Sequence, residues 1–295
     1  MPPKKDTPLT LESRLPLTCT RKGTCCHGNV VRVTPWESAR LARLLDLDHP
    51  SFVARFCTPC GTRLAFDGPL DHRQKPACRL YHQSNGCSAH LARPLACRLF
   101  PLARKRQSDR IEYFHQGPTF PCLSGCPEVT TLADLTVGDY VLAQDTVAPE
   151  AAQDAYLELV SDLADGALVL LLDSGLAASG DRRTLPAWRR LGETPPESWS
   201  ALQILPTDWL QWRAALLTPD LPFDPDPTRF AKAHADLLQT RAQSAFGMLS
   251  EATPLVSASV TMMALSLLLA HTVGAPAATL AAEFCRTATS RGARG

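Results

Sequence analysis

The chain has 295 residues, 45% apolar and 20% charged, which excludes a wholly disordered or collagen-like polypeptide and fits one large domain or two ordinary ones. The net charge of +1 hides a split, with 19 Lys/Arg against 9 Asp/Glu up to Cys126 and 11 against 20 from Pro127 onward. The basic residues of the first half are dispersed and lack an aromatic–basic signature, so nucleic-acid binding is not expected.

Residues 1–16 read as a flexible N-terminus. Lys4 and Lys5 are not followed by an apolar run, so no export signal is read and the cytoplasm is the expected compartment. Thiols stay reduced there, and clustered cysteines read as metal-binding or catalytic rather than as disulfides. The β-branched, alternating segment from Asn29 to Thr34 predicts a short strand. Thr34, Pro35 and Glu37 then form a helix start: an N-cap, a proline at the first position and an acidic residue three after the cap. Asp48 opens a second short helix that ends near Cys57. Ser84-Asn85-Gly86 predicts a hairpin turn between residues 77 and 90, because Asn-Gly favours positive φ. Arg110 to His115 predicts another strand.

Beyond residue 127 the pattern is helical, with candidate helices at about 131–144, 150–173, 228–250, 255–273 and 276–288. The proline-bearing stretches from Leu185 to Trp199 and from Asp220 to Thr228 read as loops. From Ala252 to Ala282 there is no Asp, Glu, Lys or Arg. A membrane span needs about 20 apolar residues, and Ser257, Ser259, Thr261, Ser266 and His271 dilute this one. The segment reads as the buried central helix of a bundle, with a membrane span as the alternative. The fold class expected is α+β: a cysteine-rich module over 17–126, a helical domain over 127–290, and a flexible tail at 291–295.

Ten of the eleven cysteines lie between Cys19 and Cys126, in four groups. These are Cys19 with Cys25 and Cys26; Cys57-Thr-Pro-Cys60; Cys78 with Cys87 and Cys97; and Cys122 with Cys126. A turn bearing two cysteines aims both sulfurs at one centre, and two such turns complete a four-sulfur set. All ten are therefore candidate metal ligands. The vicinal pair Cys25-Cys26 serves one metal only if a local turn redirects one side chain, since adjacent side chains of an extended segment point to opposite sides. Cys285, alone in a C-terminal helix, reads as a small buried hydrophobe. A lone dithiol role for Cys57 and Cys60 has no thioredoxin-like pattern around it.

Cys19-x5-Cys25-Cys26, the Thr34-Pro-Trp-Glu37 helix start, Cys78-Arg-Leu, Asn85-Gly-Cys87-Ser and Arg93-Pro-Leu-Ala-Cys97-Arg-Leu-Phe-Pro101 together resemble the YkgJ-type cysteine-cluster family over residues 17–102. That family is described as zinc- or iron-chelating. The resemblance implies Cys19, Cys25, Cys26, Cys78, Cys87 and Cys97 as ligands. The family's first cysteines are usually closer together than Cys19 and Cys25 are here, which leaves room for Cys57, Cys60, Cys122 or Cys126 in the set. His90 reads as a surface or structural histidine, with a ligand role as the alternative.

An all-cysteine set suits an iron–sulfur cluster or zinc. An iron–sulfur cluster, 4Fe-4S in form, is favoured because the cysteines outnumber what one zinc needs. Arg79, Arg93 and Arg98 are placed to hydrogen-bond cluster sulfur and offset its charge. Three functions follow: a metal-binding module that is structural or carries electrons; a cluster-dependent lysine methyltransferase, since flagellin lysine methylases have a similar cysteine cluster; and a metal-handling or chelating protein. The chain has no dinucleotide fingerprint, radical cysteine signature or metalloprotease motif, so enzyme status stays open. A protein partner or protein substrate is compatible with all three.

Overall fold

The computed structural model describes residues 8–16, 23–107, 110–115 and 134–295. The chain folds into two compact units that do not divide at one point in the sequence. One comprises residues 1–31 and 64–150, the other residues 32–63 and 151–295. The compositional break near residue 127 and this structural division therefore differ, because the segment Arg32–Arg63, with Cys57 and Cys60, folds with the helices. The class is α+β, with small sheets toward the N-terminus and helices toward the C-terminus.

The cysteine-rich unit is built from short antiparallel pairs. Strands β1 (Pro8–Leu9), β8 (Arg110–His115) and β7 (Leu102–Gln107) form a sheet in the order β1-β8-β7. Strands β2 (Arg14–Pro16) and β9 (Asp134–Thr136) pair with Leu15 opposite Leu135. The others are β3 (Phe66–Leu70) with β4 (Pro76–Cys78), and β5 (Tyr81–His82) with β6 (Gly86–Cys87). The last pair is the hairpin that Asn85-Gly86 predicts, with Gly86 at φ 73°. A small core joins Leu15, Leu95, Leu99, Leu102, Tyr113, Val137 and Tyr140. Tyr140 donates to the Phe100 carbonyl at 2.7 Å and Tyr113 to Glu150 at 3.1 Å, so both buried phenols are satisfied.

The helical unit begins with α1 (Pro35–Leu44) and α2 (His49–Phe56). The capping box at Thr34 is complete: Thr34 Oγ1 accepts from Glu37 N–H at 3.2 Å, and Glu37 accepts from Thr34 N–H at 2.9 Å. Asp48 caps α2 by accepting from Ser51 N–H. Residues 29–34 are extended but do not form a strand. Within this unit they contribute an isolated bridge, Arg32 opposite Arg63, and a hydrogen bond from Val33 N–H to Thr62 O.

Among the described residues the further helices are α5 (Val147–Leu172), α6 (Thr184–Glu193), α7 (Trp209–Leu217), α8 (Pro227–Phe246), α9 (Ala252–Val273) and α10 (Ala277–Ser290), while α3 (Leu95–Leu99) and α4 (Val137–Ala143) belong to the cysteine-rich unit. Helix α6 corrects the loop expected from Leu185 onward. Pro186 lies in its first turn, where no intrahelical N–H is required. The expected 131–144 helix begins only at Val137, because residues 134–136 pair as β9.

Helix α9 is the centre of its unit. Leu265, Leu267, Leu268 and Leu269 are essentially inaccessible. By length and composition it could cross a membrane, yet its hydroxyls show how it is used. Ser259 Oγ donates to Ala167 O at 2.9 Å and Ser266 Oγ to Val160 O at 2.7 Å, so two of the polar residues that dilute the apolar run tie α9 to α5. Trp36, Trp188, Trp212, Tyr156 and Phe230 are buried in the same unit.

Candidate metal centre

Gly23 starts the site. It stands at φ 78°, the left-handed region open to glycine, and precedes a one-turn 3-10 helix, Thr24–Cys26. That turn is what the vicinal pair Cys25-Cys26 needs to bring both side chains to one side. Cys26 N–H donates to Gly23 O at 2.8 Å, and His27 Nδ1 lies 3.0 Å from the same carbonyl. The His27 ring packs edge-on to Tyr81 with centroids 4.8 Å apart. Gly28 N–H bonds Pro76 O, and His27 bridges Ala77, so the turn is laced to β4, which ends in Cys78. Cys87 pairs opposite Tyr81 in the hairpin.

The run Arg93-Pro-Leu-Ala-Cys97-Arg-Leu-Phe-Pro101 divides its residues between two jobs. Leu95 and Leu99 enter the small core. Cys97 and Phe100 line a cavity of about 130 Å³ together with Cys25, Cys26, Cys78 and Cys87. Five cysteines from four separate segments thus face one cavity, whose other walls are largely apolar and include Val31, Leu64 and Phe66.

The electrostatics of the thiols record their closeness. The Cys25 thiol is held below the ordinary value, first by its hydrogen bond with Cys26 and then by Arg93 and Arg73, against the opposing effect of burial. Cys26 is pushed up by that same bond, by burial and by charge at Cys25, Cys87 and Cys97. Burial pushes Cys78 up to about 11 and raises Cys97 further, helped by the neighbouring thiols. Several thiolates in so dry a space repel one another, and a bound cation reverses that balance. The donor chemistry therefore fits a thiophilic metal or cluster. Among the described residues, no three His, Cys, Asp or Glu side chains already stand in a closed coordination arrangement.

The three arginines have different surroundings. Arg93 lines the cavity, with Nε donating to His90 O at 3.2 Å and a terminal nitrogen to Gln144 Oε1 at 3.0 Å. Arg98 is buried and donates to the carbonyls of Arg93, Gln144 and Leu91 at 2.7–2.8 Å. It is a buried brace. Arg79 pairs with Asp67, its Nε donating to Oδ1 at 2.7 Å. Neither Arg79 nor Arg98 lines the cavity. His90 does, as does Tyr81, which the sequence reading passed over. A tyrosine six residues before a ligand candidate, with no spacing rule behind it, gives no sequence signal.

Cys57 and Cys60 lie in the helical unit and do not line this cavity. Both are buried. Cys60 Sγ donates to Glu197 Oε1 at 3.2 Å, and the same carboxylate pairs with Arg63 at 2.8 Å. Cys19, Cys122 and Cys126 lie outside the described residues. Cys285 is buried in α10, its thiol 3.6 Å from Leu185 O.

No curated protein and no solved structure matches the chain. Residues 18–117, about a third of the chain, match the family model CxxCxxCC, described as a putative zinc- or iron-chelating domain, a match that agrees with the cysteine-cluster resemblance of the motifs in that stretch.

Proposed function

We propose that this metal-binding protein holds an iron–sulfur cluster, 4Fe-4S in form, on cysteines of the cavity. The observation that carries the reading is the lining of one cavity by Cys25, Cys26, Cys78, Cys87 and Cys97. A structural zinc takes four ligands, whereas the cavity offers five sulfurs in mostly apolar walls with a guanidinium, Arg93, at its edge. A cluster draws on thiolates in the same way and is tuned by nearby hydrogen-bond donors and by burial. The chain's own groups would supply sulfur ligands, exclude water through Phe66, Leu64 and Phe100, and offset negative charge through Arg93. Bound there, the cluster would carry electrons or brace the small unit.

Anaerobic purification followed by an absorption spectrum and iron, sulfide and zinc analysis tests this. Iron and acid-labile sulfide in equal amounts, with visible absorption that bleaches on reduction, are expected. Zinc alone, with no visible absorption, would replace the cluster reading with a zinc site on the same cysteines.

A further inference from the structure

A second concave surface lies wholly within the helical unit. Helices α5 and α8 flank a groove of about 500 Å³ with Met262 of α9 at its floor. The α5 wall is lined by Leu159, Leu163, Gly166 and Leu170, spaced i, i+4, i+7 and i+11, the stripe that one helix face makes, with Leu159 and Leu163 themselves buried. From Leu159 to Leu170 this wall runs about 17 Å, or three turns. The facing wall repeats the pattern with Ala235, Leu238, Ala242 and Phe246. Gly166 sets the depth, since a Cβ there would lie 2.9 Å from Met262 Cε. Methionine at the floor is the side chain that most readily repacks under a guest.

The charge along the groove has one sign. Glu158, Asp162 and Asp165 fall at i, i+4 and i+7 on α5, parallel to the apolar stripe, and Asp162 also lines the groove. Like charges at this spacing repel. The Asp162 carboxyl is accordingly raised, by partial burial first and then by Asp165 and Glu158. Among the described residues neither the Asp162 nor the Asp165 carboxylate has a hydrogen-bond or ion-pair partner. Among the described residues no Lys or Arg lines the groove. Arg241 of α8 lies over the Trp212 ring, 4.8 Å from its centroid.

We propose that the α5–α8 groove receives an amphipathic helix of a partner protein, with a basic stripe beside its apolar face. The length of the groove, the doubled helical spacing of its walls and the parallel acidic row match the two stripes of such a helix, as in helix-in-groove recognition. This site is separate from the cysteine cavity and does not depend on the identity of the metal.

The test is fluorescence anisotropy on the full-length protein with a labelled two-heptad Leu/Lys model helix, beside a Leu/Glu helix of the same length. Saturable one-to-one binding of the Leu/Lys helix is expected, weakened by salt, with no binding of the Leu/Glu helix. Asp162→Asn/Asp165→Asn is expected to weaken binding about tenfold. Ala242→Trp, which fills the groove while keeping the acidic row, is expected to abolish it. Both variants are to be checked for unchanged thermal unfolding, and hydrogen exchange on the wild-type complex should show protection over residues 159–170 and 235–247. Unchanged affinity in Ala242→Trp, equal binding of the two helices, or protection elsewhere would each overturn the proposal. The wild-type exchange map serves as the readout if a variant fails to fold.

Discussion

Tyr81 occupies the space where a side chain on Gly23 would have to be. A Cβ at Gly23 would overlap the edge of the Tyr81 ring, and the backbone there sits at φ 78°. The two residues come from different segments, one opening the Cys25-Cys26 turn and the other facing Cys87 across the hairpin. Gly23→Ala therefore meets two penalties, a left-handed conformation costing roughly 1–2 kcal/mol and a clash with a packed ring. Bound metal per chain should fall in the purified variant while far-UV circular dichroism, dominated by the helical unit, stays unchanged. Full metal content in Gly23→Ala would mean that the turn does not set the site.

Serine substitutions should separate the cysteines by unit. Cys97→Ser removes a sulfur from the cavity and should lower metal content. Cys60→Ser alters a thiol that hydrogen-bonds Glu197 in the helical unit, and metal content should be kept. Cys285→Ser should be nearly silent in both metal content and stability. Metal analysis of the three variants purified side by side decides the matter. Loss of metal in Cys60→Ser would return the C-x-x-C to the ligand set.

Local chemistry was legible in the sequence where its partners are also local. The Thr34–Glu37 capping box, the Asp48 cap and the Asn85-Gly86 turn each close within four residues. Burial of Leu265 to Leu269 followed from the uncharged run around them. Long-range choices were not legible. Nothing in the composition marks Arg32–Arg63 as part of the helical unit, because its attachment comes from contacts such as Trp36 Nε1 donating to Asp224 O, 188 residues away. That attachment makes Cys57 and Cys60 part of the helical unit. Helix α6 is hidden in the sequence because Pro186 reads as a breaker, whereas proline breaks helices only beyond the first turn. The roles of Arg79, Arg93 and Arg98 depend on where each guanidinium reaches, which spacing does not encode.

Acid should destabilise the helical unit through two histidines, the buried His234 and the half-buried His49. His234 Nε2 lies 3.0 Å from Ala215 O, and its Nδ1 lies 3.2 Å from the Tyr156 hydroxyl. An Nε2–H tautomer satisfies both contacts with the ring neutral. Burial pushes His234 down to about 4, and His49 likewise. The unfolded chain, with histidine near 6.5, then binds more protons than the folded one. Stability is full above pH 6.5, declines as pH falls toward 4, and levels off below that. Each histidine at full effect is worth on the order of 3 kcal/mol. Urea unfolding of metal-free protein between pH 7.5 and 4.5, followed by the fluorescence of buried Trp188 and Trp212, should show the decline. Flat stability across that window, or an NMR titration placing both imidazoles near 6.5 in the folded protein, would remove this account.

Metal removal should act on one unit and spare the other. The cysteine-rich unit has short strands and a small core around Leu99, Leu102 and Tyr113, so apolar burial alone stabilises it weakly. A metal that binds only the folded form adds its binding free energy, on the order of 10 kcal/mol for structural zinc in small peptides. The helical unit instead buries four tryptophans and the whole centre of α9. Hydrogen exchange on native and chelated protein, and on Cys97→Ser, should therefore show protection lost over residues 23–31 and 64–107. Protection should be kept over 151–273. Residues 35–56 distinguish the structural units from a simple division near residue 127. As α1 and α2 they belong with the helices and should stay protected when the metal is gone. If they lose protection together with Cys78 and Cys97, the cooperative unit is the whole N-terminal half. If the cysteine-rich unit keeps full protection without metal, its core is sufficient and the metal serves function alone.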